Sequence, residues 1–159
     1  EKNTNVLVLT HSIENRYSDK ELSTHNLVKI PCIKSDSIKN FICNYKTQIN
    51  QSNIILIDEA QFFKDIRKTL DLVEIFKKKV FIFGLDGDFE RQQFGNILDL
   101  IPLCDTVEKL QAICKVCNNS AIFSHRIIPQ KEQIVIGSTD IYIPLCRKCY
   151  LEKTINKTI

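Results

Sequence analysis

The chain has 159 residues, 43% of them apolar and 26% charged, which suits one well-buried soluble core with a small appended lobe. A formal charge of +3, with the lysines scattered, is too weak a field to argue for nucleic acid binding, and no apolar run approaches a membrane span. There is no Met and the first residue is Glu1, so translation is expected to begin upstream and a preceding segment to be missing.

Asn5-Val-Leu-Val-Leu-Thr10 is a continuous apolar run of the kind buried on both faces of a parallel sheet. Leu27-Val-Lys-Ile30, closed by Pro31, predicts a shorter strand. Asp36 is placed to cap a helix whose apolar stripe runs through Ile38, Phe41, Ile42, Tyr45 and Ile49. Ile54-Ile-Leu-Ile57 predicts a buried strand ending on Asp58 and Glu59. Asp65 is placed to cap the next helix, with Ile66, Leu70, Val73 and Phe76 inward. Val80-Phe-Ile-Phe83 then enters the turn Gly84-Leu-Asp-Gly-Asp-Phe89. Pro102 is expected to break the apolar segment 97–101, and 107–113 to form one more strand. The tail past Cys149 predicts a short helix or a frayed end. Strands alternating with helical patterns at this spacing indicate βαβ units and a parallel sheet.

Two pairs, Cys114-x-x-Cys117 and Cys146-x-x-Cys149, supply four thiolates, the donor set of a closed structural zinc site. Four protein ligands leave no open position, so such a metal would hold structure rather than catalyse. Two disulfides are the other reading and the less favoured one. Cys32, Cys43 and Cys104 stand among apolar residues and read as small core fillers. The excursion between the pairs contains Arg126, the alternating run Gln133-Ile-Val-Ile-Gly137, a polar turn and Tyr142.

An apolar run ending in Asp58-Glu59 has the form of a Walker B element. In an open α/β sheet the ligand lies beyond the carboxyl ends of the strands, where Asp58 can hold Mg²⁺ and Glu59 can serve as a general base. The pattern alone is weak, since many strands end in solvated acids. Gly84 to Phe89 lacks both the dinucleotide spacing and the GK[ST] of a phosphate loop, and the aromatic residues Phe62, Phe63 and Phe89 taken singly read as core.

Jointly, however, Arg16-Tyr17, Ile57-Asp-Glu-Ala-Gln-Phe-Phe63, Leu85-Asp-Gly-Asp-Phe-Glu-Arg91, Phe94-Gly95, both cysteine pairs, Ile136-Gly137, Asp140 and Tyr142 resemble the type II thymidine kinases, in that family's order and spacing. The resemblance implies a P-loop NTPase-like (RecA-like) α/β core of mostly parallel sheet with helices on both faces over residues 1–112. Residues 113–159 would form a zinc-ribbon lobe carrying a substrate lasso, and the C-terminal tail. It implies transfer of the ATP γ-phosphoryl group to the 5′-hydroxyl of thymidine or deoxyuridine, with Glu59 as base. Asp58 matches the Mg²⁺-associated carboxylate, and Glu14, Asn15, Arg16 and Gln61 belong to the nucleotide- and Mg²⁺-binding set. Phe62, Leu85, Phe89 and Ser124 match residues around the substrate. Gln133, Ile134, Val135, Ile136 and Gly137 match the strand that reads the base through backbone groups, and Tyr142 the aromatic that closes over it.

Also implied are structural Zn²⁺ on Cys114, Cys117, Cys146 and Cys149, a cytoplasmic homotetramer, inhibition by dTTP, and no membrane or direct nucleic acid partner. Three departures accompany the match. The family's first strand and its phosphate loop should precede Asn5, and without them residues 1–159 alone are expected to be inactive or nearly so. Glu14 stands where the family has Asp, and Gln133 where it is usually apolar. The rival readings are a non-catalytic zinc-ribbon or nucleotide-binding module and a decayed kinase that binds without turnover.

Overall fold

In the computed structural model residues 5–13, 21–23, 29–130, 132–135 and 141–155 are described. Their packing divides them into two compact units, one drawn from Glu1–Asp86 with Gly95–Leu103, the other from Gly87–Phe94 with Cys104–Ile159.

The first unit is α/β. Its elements are β1 (Val6–His11), β2 (Glu21–Ser23), β3 (Lys29–Pro31), β4 (Ile33–Ser35), α1 (Ile38–Asn44), α2 (Lys46–Gln51), β5 (Ile54–Asp58), α3 (Thr69–Glu74) and β6 (Lys79–Ile82). Four strands pair in parallel in the order β4-β1-β5-β6, while β2 and β3 form a separate antiparallel pair. The expected parallel sheet is therefore present. Of the predicted strand Leu27–Ile30, residues 27 and 28 lie outside the described residues, and β3 runs on through Pro31. The core gathers Leu9, Ile38, Phe41, Ile49, Ile55, Ile57, Phe63, Ile66 and Leu72, all fully buried. Each such side chain contributes about 1.5–3 kcal/mol of transfer free energy. Along β5, Ile55 and Ile57 are buried while Ile54 and Leu56 are half-buried, the period-two signature of one face turned fully to the core.

Several boundaries differ from the sequence expectation. The stripe from Ile38 to Ile49 is split into α1 and α2 at Tyr45, whose φ of −120° leaves the helical region. Ser37, not Asp36, is the N-cap of α1, accepting from the Asn40 N–H at 3.1 Å. Asp65 does not cap its own turn. Its carboxylate accepts from the Ile38 and Lys39 N–H groups at 3.0 and 2.9 Å and from the Ser37 hydroxyl at 3.0 Å. With the Ser37 N–H on the Ser35 hydroxyl at 3.3 Å, all four donors that open α1 are satisfied.

Burial works against ionising Asp65, but the Lys39 and Ile38 N–H groups and the Ser37 hydroxyl outweigh it and hold the carboxyl below its ordinary 3.8. A carboxylate lowered on folding adds stability that is complete above 3.8 and is lost as pH falls through its folded value. Asp65→Ala is accordingly expected to cost about 1–2 kcal/mol at neutral pH. In denaturant melts that cost should shrink in acid below the ordinary carboxylate range. An equal cost at both pH values would remove Asp65 from this role.

Val73 was expected inward but is 40% exposed, and Leu72 is buried instead. The cause is the 3₁₀ turn Ile66–Lys68 leading into α3. It advances 120° per residue rather than 100°, so the stripe slips by a position. Pro102 does not end its segment either. Ile97–Leu103 is a 3₁₀ helix that runs on through the proline, which has no N–H to give to the helix ladder.

The second unit holds β7 (Ala112–Ile113), β8 (Ser120–Ala121), β9 (Phe123–Arg126), β10 (Tyr142–Leu145) and α4 (Arg147–Ile155), with β7–β8 and β9–β10 pairing antiparallel. The strand predicted over 107–113 is reduced to Ala112–Ile113, because Val107, Leu110 and Ile113 are all more than 60% exposed and face no core. Residues 133–135, expected in a strand, are in none. The core here is Cys114, Ala121, Leu145, Cys149 and Tyr150, so two of its five buried members are cysteines.

Candidate functional site

Chain order determines where the first unit can bind a ligand. From β1 the chain moves to β4 on one side, and from β5 to β6 on the other, so the connections diverge between β1 and β5. A crevice forms at the carboxyl ends of two such strands. Thr10 and Asp58, direct partners in the parallel register, occupy that position. Thr10 is fully buried and its hydroxyl finds no hydrogen-bond partner among the described residues. Nothing in the sequence signalled it. His11 follows, its ring edge-on to Phe63 at 4.8 Å and tilted against Phe62 at 5.8 Å. Burial pushes the imidazole below its ordinary 6.5, with Asp36 and Asp65 offsetting part of the effect.

Glu59, directly after β5, adopts φ 53° and ψ 40°, a left-handed conformation that a side chain other than Gly, Asn or Asp takes only at a cost of roughly 1–3 kcal/mol. Its carboxylate accepts from Gln61 Nε2 at 2.6 Å. Gln61 is buried, and its Oε1 accepts from the Leu85 N–H at 3.1 Å. One amide thus ties the acidic turn after β5 to the turn after β6. The Ala60 N–H donates to the Phe83 carbonyl at 2.9 Å, a second tie between the same turns. Two glycines make room for Gln61. A Cβ on Gly84 would lie 2.7 Å from its Oε1, and one on Gly95, at φ +60°, would fall on its carbonyl. Glu59, Gln61 and Leu85, three residues singled out from the sequence, are brought together here, with Asp58 adjacent in the chain.

The second unit assembles another group. Asp88 is buried. Its Oδ1 accepts from the Glu90 and Gln92 N–H groups at 2.9 and 2.8 Å, and its Oδ2 accepts from Gln133 Nε2 at 2.7 Å. Phe89 lies under the Arg126 guanidinium, 3.6 Å from the ring centroid, and its carbonyl accepts from the Tyr150 hydroxyl at 2.6 Å. Tyr142 donates to the Val135 carbonyl at 3.0 Å. Ser124 is half-buried on β9, opposite Pro144, and Ile134 is exposed. Glu14, Asn15, Arg16, Ile136 and Gly137 lie outside the described residues.

The four cysteine sulfurs lie within 4.8 Å of one another, and Cys117 and Cys146 are 3.6 Å apart. Bonds of about 2.3 Å to one tetrahedral zinc place thiolates roughly 3.8 Å apart, so the set fits one ion. Local geometry sets this up. Cys114 and Cys117 flank a tight turn in which the Asn118 N–H bonds the Cys114 carbonyl and Asn118 takes φ 58°. Cys146 follows β10, and Cys149 sits in the first turn of α4. Burial opposes ionising Cys114, but the N–H groups of Cys146, Val116 and Cys117 bring it down to about 6. Burial and the surrounding sulfurs push Cys149 up to about 12. Four sulfurs gathered so closely repel one another's charge, and a divalent soft-ligand cation is what such a set accommodates.

Among the described residues no helix is long and apolar enough to cross a membrane. A family model described as "Thymidine kinase" matches residues 1–150. A thymidine kinase of Yaba monkey tumor virus is 41% identical over 146 residues, covering 92% of this chain and 78% of the viral protein. One from Choristoneura fumiferana entomopoxvirus is 40% identical over 157 residues, 96% of this chain and 84% of that protein. A rice thymidine kinase is 37% identical over 153 residues, 95% of this chain but 56% of its own length, so the chain spans little more than half of that relative. With a match over nearly its whole length, the chain belongs to the thymidine kinase family.

Proposed function

We propose that the full-length protein transfers the γ-phosphoryl group of ATP to the 5′-hydroxyl of thymidine or deoxyuridine, giving dTMP or dUMP and ADP. In this reading the 5′-oxygen attacks the γ-phosphorus, the bond from that phosphorus to the bridging oxygen of ADP breaks, and the hydroxyl proton passes to the Glu59 carboxylate. The observation that carries it is the Glu59 turn. An acid held in a strained left-handed conformation at the carboxyl end of a central parallel strand, and oriented by a buried amide, supports a general base at this position. Asp58, half-buried at the same strand end, is the carboxylate that would hold Mg²⁺. That ion neutralises charge on the transferred phosphoryl group when bound, and it needs only one or two protein carboxylates besides the phosphates.

The nucleobase is assigned to the second unit: Phe89 and Tyr142 pack its faces, and the backbone of 133–137 reads its edge. Phe62, Leu85 and Ser124 belong to the same substrate set, and Glu14, Asn15, Arg16 and Gln61 to the nucleotide set. Cys114, Cys117, Cys146 and Cys149 would hold zinc as a closed structural ion. A cytoplasmic homotetramer inhibited by dTTP completes the reading. Calorimetric titration of the full-length protein is expected to show one thymidine or dTTP site per chain and no salt-dependent affinity for DNA. The opposite pair of results would favour a zinc-ribbon module that contacts nucleic acid.

A further inference from the structure

Residues 132–135 belong to no strand, so no β-ladder fixes their backbone. Among the described residues Gln133 is held through its own amide, on Asp88 and the Gln93 carbonyl, and the backbone carbonyls are gathered mainly by one side chain. Arg126, at the end of β9, is only 2% exposed. Its Nη1 donates to the carbonyls of Gln130 and Glu132 at 3.0 and 2.6 Å, and its Nη2 to the carbonyl of Gln133 at 3.0 Å. Nε and Nη2 also donate to the Tyr142 hydroxyl oxygen at 3.2 and 2.6 Å, and that hydroxyl in turn donates a hydrogen bond to the Val135 carbonyl at 3.0 Å. The guanidinium plane meanwhile covers Phe89. A fork of donors in fixed geometry is therefore spent on one short stretch of backbone and two aromatic rings.

We propose that Arg126 is a positioning residue for nucleobase recognition, bracing the 132–135 backbone, Tyr142 and Phe89 in the arrangement that receives the base. This rests on the assignment of the base to those groups under the proposed function. A segment with no ladder has to be ordered when its ligand arrives unless something has ordered it beforehand, and that ordering comes out of the affinity. Arg126 holds the segment before the ligand binds. Lysine cannot replace it, because a single ammonium has three donors on one atom and cannot span carbonyls on three residues while covering a ring.

The test compares full-length wild type with Arg126→Met and Arg126→Lys in two measurements. Amide hydrogen exchange without nucleoside reads the bracing, and steady-state kinetics read its use. Arg126→Met is expected to exchange faster across 132–135 while retaining its zinc. Its KM for thymidine should rise by about tenfold or more, with kcat and the KM for ATP within about threefold of wild type. Arg126→Lys should fall between the two. If the Met variant loses zinc or fails to fold, the Lys variant decides by the same readouts. Wild-type exchange across 132–135 in the variants, an unchanged thymidine KM, or a loss confined to kcat would overturn the proposal. A wild-type protein that neither binds nor phosphorylates thymidine would instead sink the functional assignment, and the exchange comparison would still report whether Arg126 braces the segment.

Discussion

Glu59→Gln is expected to lower the turnover of thymidine phosphorylation by roughly two to four decades while thymidine affinity stays within a few-fold of wild type. The substitution keeps the size of the side chain and leaves an amide oxygen that can accept from Gln61 Nε2, as the Glu59 carboxylate does at 2.6 Å. What it removes is the capacity to take a proton. A residue whose role was to shape the turn after β5 would tolerate the change, because the left-handed backbone at φ 53° is equally open to glutamine. The kinetics therefore separate the two roles. Lost turnover with intact binding assigns the proton to Glu59, and unchanged turnover removes it from the mechanism.

The second large effect concerns the metal. Cys114→Ser, or treatment with a chelator strong enough to strip zinc, is expected to unfold the second unit. Its strands are two to four residues long, and Cys114 and Cys149 themselves make up part of the buried cluster with Ala121, Leu145 and Tyr150. A core this small supplies little stability of its own, whereas zinc binding to such sites contributes about 10–16 kcal/mol that is folding free energy. Native mass spectrometry should find one zinc per chain in the wild type and none in the variant. Amide protection across β9, β10 and α4 should disappear with it, and thymidine binding should be lost. A variant that kept its protection without zinc would show that the four sulfurs only decorate a stable fold.

Much of the fold was legible because its strongest signals are local. The runs that became β1, β5 and β6 are unbroken stretches of Val, Ile, Leu and Phe with few rivals, and four cysteines in two x-x-spaced pairs leave little choice of partner. What was not legible depends on contacts far apart in the chain. Asp65 looked like the cap of the turn that follows it, yet its carboxylate closes a helix 26 to 28 positions earlier. The slip that buries Leu72 in place of Val73 comes from a change of helical pitch, which an apolar stripe does not reveal. In the second unit Tyr142 and Phe89 stood out as aromatics, but Arg126 was only one basic residue in a polar excursion. Its five donors meet their partners only after β9 and β10 pair. In the sequence Asp88 is one more residue of the turn after Phe83, and nothing there shows that its carboxylate receives Gln133, 45 residues on.

The most direct measurement follows γ-labelled phosphate from ATP in the full-length protein, wild type beside Glu59→Gln, with and without thymidine. Transfer of label to the nucleoside 5′-oxygen by the wild type, dependent on thymidine and nearly abolished in the variant, is the predicted result. Label released to water regardless of thymidine, or transferred equally well by both proteins, would contradict the account.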